Sequence, residues 1–173
     1  AYAASRVMDI LFQRDDLDTA HISVAGHSRL GKTALWCMAQ DERFYAAFSN
    51  DSGFGGAALA KGGTGEKIQD FLDWGSCDWF CPAFQTFVGR EQALPFDQHF
   101  LLALCAPRHI YVGSASEDES ADPKSEFLAC CAVSPIYEAL GKKGLAGPDR
   151  YPLPGEYLHD GALGITCVRG PII

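Results

Sequence analysis

Two incompatible chemistries share the octapeptide Gly26-His27-Ser28-Arg29-Leu30-Gly31-Lys32-Thr33. As G-x-x-x-x-G-K-[ST] it is a phosphate-binding loop, whose backbone N–H groups wrap a nucleotide while Lys32 and Thr33 meet phosphate and magnesium. As G-x-S-R-x-G it is a strand-to-helix elbow that raises Ser28 as a nucleophile toward an ester carbonyl. A phosphate cradle works because small residues let successive N–H groups converge on one anion. His27, Arg29 and Leu30 are bulky for that purpose. Asp51 is available as a magnesium carboxylate, but no base-recognition element follows. The elbow is the better reading.

A serine hydroxyl attacks only when an imidazole removes its proton, and a carboxylate must hold that imidazole in the right tautomer. In α/β hydrolases these groups follow in the order serine, acid, histidine. Ser28, Asp118 and His159 keep that order. Asp118 falls in a loop after a later strand, where such an acid is presented. His159 lies in Leu158-His159-Asp160, a segment that taken alone better suits a solvent-exposed turn, so its place in the triad rests on chain order.

The elbow needs a strand before it and a helix after it. Residues 21–25 read as a short strand and 30–40 as a helix, preceded by a helix over about 3–14. A second strand covers 44–49. The glycine-rich stretch 53–65 reads as a long loop, and 73–96 is irregular, with Trp74, Trp79 and Phe80. A helix over 97–106 stops before Pro107, and a third strand covers 109–112. The acidic loop 116–123 opens into a helix over 124–140 that ends at Gly141. Residues 142–173 are rich in Gly and Pro, with weak periodicity. Alternating strands and helices predict an α/β fold, a mostly parallel sheet with helices on both faces. Few strands precede the elbow, so the expectation is one partial catalytic domain over 1–173, with the N-terminal part of its sheet missing.

Of 173 residues, 47% are apolar, and 14 basic against 22 acidic residues give a net charge of −8. That balance argues against nucleic-acid and anionic-membrane partners. No apolar run reaches the roughly 18 residues a membrane span needs, and Ala1-Tyr2-Ala3-Ala4 reads as the start of a helix rather than a signal peptide. Seven cysteines cannot all pair. Cys37, Cys105, Cys130 and Cys131 lie in apolar or helical runs as small hydrophobes. Cys77 and Cys81 make a C-x-x-x-C in the Trp-rich stretch, where a disulfide is open. No C-x-x-C or His-x-x-x-His offers a zinc site, so neither metal nor other cofactor is expected.

Val24-Ala25-Gly26-His27-Ser28-Arg29-Leu30-Gly31-Lys32-Thr33-Ala34-Leu35-Trp36 resembles the elbow of glucuronoyl esterases, carbohydrate esterase family fifteen. Further blocks follow in the family's order. They are Ser49-Asn50-Asp51-Ser52-Gly53-Phe54-Gly55-Gly56, Trp79-Phe80-Cys81-Pro82, Leu94-Pro95-Phe96-Asp97, Glu117-Asp118 with Ala121-Asp122-Pro123, and Ser134-Pro135-Ile136-Tyr137. The likeness covers about residues 5–145. It implies an α/β-hydrolase fold and a secreted or periplasmic parent enzyme. The implied reaction cleaves the ester between a glucuronic acid carboxyl of xylan and a lignin alcohol. Ser28 would be the nucleophile, His159 the general base and Arg29 the oxyanion stabiliser. Lys32, Glu66 and Trp79 match residues that contact the sugar. For the acid, some members use the place held here by Asp51 in Asp51-Ser52-Gly53, others the later loop of Asp118; the latter keeps the family's spacing to Ala121-Asp122-Pro123. His27, in the elbow's variable slot, receives no role.

Departures are concentrated at the end. Ser120 stands where an aromatic is usual, and Gly161, Gly164, Gly170 and Pro171 oppose the family's C-terminal helix. Residues 150–173 form a poorly matching tail. The alternatives are an acetyl xylan esterase or other carboxylesterase using the same triad, a P-loop NTPase, and a piece inactive without the rest of its parent. Oligomeric state is not legible.

Overall fold

A computed structural model describes residues 1–75, 77–147 and 150–171, with the exception of the Cys77 side chain. Helix α1 spans Tyr2–Leu11, strand β1 Ser23–His27 and helix α2 Arg29–Gln40. Strand β2 (Ala46–Asn50) runs into the glycine-rich loop, and the short helices α3 (Ile68–Asp73) and α4 (Pro82–Gln85) follow. Helix α5 (His99–Cys105), strand β3 (His109–Ala115) and helix α6 (Pro123–Ala139) continue the alternation. A hairpin of β4 (Tyr157–Leu158) and β5 (Leu163–Val168) closes the described chain.

The five strands form one sheet in the order β1-β2-β3-β5-β4, parallel except for β4. Its register places His27, Asn50, Gly113 and Thr166 side by side. The residues just beyond them, at the carboxyl edge, are the ones an α/β sheet presents to a ligand.

Side-chain alternation sends Ala47, Ile110, Val112, Leu163 and Ile165 to one face, where they meet Leu35 and Met38 of α2, Leu102 of α5, Phe127, Cys130, Val133 and Tyr137 of α6, and Met8 of α1. Leu35 and Met38, both fully buried, each contribute about 2 kcal/mol through apolar area alone. The other face carries Phe48 and Tyr111, with Phe48 45% exposed and its ring 6.1 Å from that of Tyr111. Among the described residues α1, α2, α5 and α6 all contribute to the core on the Ala47 face.

The tail departs from its weak sequence signal. Leu163, Ile165 and Cys167 are fully buried, and this period-2 pattern draws residues 163–168 into the sheet beside β3. Gly164, which opposes a helix, suits a strand here: a Cβ on it would stand 2.6 Å from the Tyr111 ring.

A second apolar cluster sits above the carboxyl edge, with Phe54, Ala60, Ile68, Phe71 and Leu94 packed against Phe80 and Phe84. Asp97 anchors it by accepting the Ala60 and Lys61 N–H groups at 2.7 and 3.1 Å. Cys81 is a free, exposed thiol; the disulfide considered for it involves the Cys77 side chain, outside the described residues.

Candidate active site

Ser28 sits between the last residue of β1 and the first of α2 at φ 53°, ψ −122°. A non-glycine residue holds that backbone only where its surroundings over-determine it, and they do. The Ser28 N–H donates to the Asn50 carbonyl at 2.8 Å, extending the sheet by one rung, while its own carbonyl accepts from Lys32 N at 3.1 Å to start the helix. The two flanking glycines make the crossing possible. A Cβ on Gly26 would lie 2.0 Å from the Leu30 carbonyl oxygen, and one on Gly31 would meet Ser52 Cβ at 3.0 Å. Among the described residues the other two non-glycine residues with positive φ, Asp51 and Asp122, flank the same edge. This is the bend expected of a nucleophile elbow and not a phosphate cup. Lys32 confirms the point: its ammonium donates to the Ser52 carbonyl and lies 3.8 Å from Glu66 Oε2, instead of turning back to the loop. The P-loop reading is set aside on that geometry.

A cavity of about 440 Å³ opens around Ser28, lined by His27, Arg29, Leu30, Lys32, Glu66, Phe71, Trp74 and Trp79. Four of the expected site residues besides Ser28 (Arg29, Lys32, Glu66 and Trp79) therefore share one space with it. The Arg29 guanidinium makes no hydrogen bond or ion pair with any described residue, although a helix N-terminus is an unfavourable place for a cation. Burial pushes the Lys32 ammonium below its ordinary pKa and the Glu66 carboxyl above its own, while their mutual attraction opposes both shifts. Trp79 is 45% exposed and packs 5.5 Å from Phe71, leaving part of its ring to the cavity. An adjoining apolar cavity of about 560 Å³ runs past Trp79 and Phe80 to Phe84, Phe96 and Phe100.

The two candidate acids differ in what their oxygens do. Asp51 is saturated: Oδ1 accepts from Ala115 N at 2.8 Å and Oδ2 from Asn50 Nδ2 at 3.0 Å. Burial raises its pKa, and the charge of Asp118 adds to that. Asp118 is anchored through Oδ1 alone, which accepts from Ser120 N, Ser120 Oγ and Ala121 N. Its Oδ2 is buried with no hydrogen-bond partner among the described residues. One fixed oxygen and one open oxygen is the arrangement a carboxylate needs to take an imidazole N–H. Asp118 lines a neighbouring cavity with Thr64, Ser116 and Tyr151.

His159 does not come to Ser28. It follows β4 at the far edge of the sheet, where its ring lies tilted with its centroid 4.9 Å from that of Tyr157 and lines a space with Glu138, Lys143 and Leu158. Because Leu158 is registered with Ile165 in an antiparallel pair, the chain is heading toward the amino end of the sheet at that point. Four strand spacings of ~4.8 Å separate the edges, which puts His159 on the order of 20 Å from Ser28. The burial of β5 causes this displacement. Of the five histidines in the chain, only His27 lines the Ser28 cavity.

Glu126 is the group the sequence reading missed. It is fully buried on α6, behind the elbow. Its Oε1 accepts from Ser52 N, Ser52 Oγ and Gly53 N at 3.1, 3.2 and 3.0 Å, and its Oε2 accepts from Ser114 Oγ. Burial pushes its pKa up to about 7 despite these donors. The carboxylate thereby ties α6 to the turn that carries Asp51 and to β3. Its signal was present as a single acid four, seven and eleven residues before Cys130, Val133 and Tyr137, on the apolar stripe of its helix.

A family model described as fungal glucuronyl esterase matches residues 1–141. A carbohydrate esterase from an unknown prokaryotic organism is 43% identical over 156 residues, covering 90% of this chain and 36% of that protein. The 4-O-methyl-glucuronoyl methylesterase of Phanerochaete carnosa is 34% identical over 148 residues, covering 81% of this chain and 36% of its own length. Among solved structures, a promiscuous CE15 esterase from a marine bacterial metagenome superposes with a TM-score of 0.92 at 40% identity, over 98% of this chain and 42% of that one. The chain thus spans about a third of the length of the curated relatives it matches. With a family match over most of its length and the family's fold around an elbow serine, this chain belongs to the glucuronoyl esterases of carbohydrate esterase family fifteen.

Proposed function

We propose that this chain is the nucleophile-bearing part of a serine esterase that cleaves the ester between a glucuronic acid carboxyl of xylan and a lignin alcohol, outside the cell or in the periplasm. The observation that carries the reading is Ser28 raised on its bend beside the uncommitted Arg29, in a cavity shared with Lys32, Glu66 and Trp79. Ser28 Oγ attacks the ester carbonyl as its proton passes to a base, negative charge grows on the carbonyl oxygen where the guanidinium neutralises it, and collapse expels the protonated alcohol, leaving an acyl-serine that water hydrolyses. The lysine and glutamate offer a donor and an acceptor to sugar hydroxyls, and the tryptophan face suits the apolar face of a sugar ring. The apolar cavity beyond Trp79 suits an aryl alcohol. Asp118 is the favoured acid, on the strength of its open Oδ2.

A second reading has its own support. The proton of Ser28 must pass to a base, and His159 is on the far edge of the sheet. On this reading the chain binds the uronate ester but does not turn it over alone. Hydrolysis of benzyl glucuronate separates the two. Turnover that disappears in Ser28→Ala and drops at least about 100-fold in Asp118→Asn, with Asp51→Asn less affected, supports catalysis by this chain. Binding of methyl glucuronate without turnover supports the second reading. Faster turnover of acetylated xylan than of the glucuronate ester refutes the uronate assignment.

A further inference from the structure

The elbow residue without an assigned role, His27, has a defined tautomer. It ends β1 in register with Asn50 of β2, and strand alternation puts both side chains on one face. The Asn50 Nδ2 donates to Asp51 Oδ2 at 3.0 Å, and Asp51 is itself held through Oδ1 by the Ala115 N–H. The carboxylate therefore decides which way the Asn50 amide faces. Its second N–H meets His27 Nδ1 at 2.8 Å, and since that partner is a donor, Nδ1 must accept. The neutral ring then carries its proton on Nε2. With Nδ1 engaged, Nε2–H is the one polar group the ring still has to offer. His27 keeps 49% of its side chain exposed and lines the cavity that holds Ser28, Lys32 and Glu66.

We infer that His27 is a substrate-binding residue whose Nε2–H donates a hydrogen bond to an oxygen of the acid half of the ester, the hydroxylated uronate, held in that tautomer by the Asp51–Asn50 pair. The acid half is favoured over the alcohol because the cavity that His27 lines carries Arg29, Lys32 and Glu66, whereas the space beyond Trp79 is aromatic. This inference rests on the uronate reading given under Proposed function.

The test uses the whole chain, labelled with nitrogen-15, and methyl glucuronate as the ligand. Long-range proton–nitrogen spectra at pH 8 should show His27 with a bare Nδ1 and a protonated Nε2, and the Nε2 signal should move on titration. His27→Phe, which removes the donor and keeps a planar ring, should weaken methyl glucuronate binding about tenfold; His27→Gln, which retains a donor, should recover most of that. A proton found on Nδ1 in the wild type, or affinity of His27→Phe within about twofold of wild type, overturns the inference. Failure of the wild-type chain to bind methyl glucuronate instead overturns the uronate reading, and the ligand assigned to His27 falls with it.

Discussion

Substituting Glu126 by Gln should remove a pH dependence of stability whose sign and size follow from the burial of one carboxyl. In the folded chain Glu126 titrates at about 7 against an ordinary 4.5. Folding therefore favours its neutral form. The stabilisation is complete below about pH 4.5, shrinks as pH rises through the folded value near 7, and is constant above it. At about 1.4 kcal/mol per pH unit, the whole span is worth roughly 3 kcal/mol. About 2 kcal/mol of that falls between pH 5.5 and 8, a window that avoids precipitation near the isoelectric point of 5.0. Gln has no proton to lose, so the difference between the two proteins carries the titration of this carboxyl. The stability of wild type minus that of Glu126→Gln should therefore fall by about 2 kcal/mol from pH 5.5 to pH 8. Urea unfolding followed by tryptophan fluorescence measures it. A difference constant to within ~0.5 kcal/mol refutes the reasoning. A difference that rises with pH would mean that the four donors from Ser52, Gly53 and Ser114 outweigh burial.

Gly26→Ala should cost about 3 kcal/mol or more, since relieving a contact of 2.0 Å with the Leu30 carbonyl means moving backbone, not a side chain. Thermal melts check it, and a loss under ~1 kcal/mol would mean that strand and helix do not cross there. Lys32→Met removes the cation that holds Glu66 down, so the Glu66 pKa should rise further. Carbon-13 titration of its carboxyl reads this directly, and an unchanged or lower value would separate the two residues.

Much of the fold was legible because its determinants are local. Helix α2 was expected over 30–40 and runs over Arg29–Gln40, and α6 starts at Pro123 behind the Asp122 cap, which accepts from Ser125 N at 3.0 Å. The strands expected at 21–25, 44–49 and 109–112 all form, shifted by a residue or two or extended. The elbow was readable for the same reason: Gly26, Ser28 and Gly31 interact within six residues of chain. Arg29 and Lys32, one turn apart on that helix, were bound to share its surroundings. Residues 142–173 were not readable, because Leu163, Ile165 and Cys167 are only three alternating apolar side chains, and what makes them a strand is β3 alongside. Glu126 escaped notice because its partners lie 12 to 74 residues away.

From residue order alone came the bend, its serine and arginine, and the family, since steric limits over one strand-to-helix turn leave few residue choices. Tertiary packing decided everything that depends on pairs distant in the chain. It buried β5 and so swung His159 to the far edge, left Asp118 with an open oxygen while saturating Asp51, and placed Asn50 where it fixes the proton on His27. Each outcome turns on which strand lies beside which, a matter of long-range burial that no local pattern encodes.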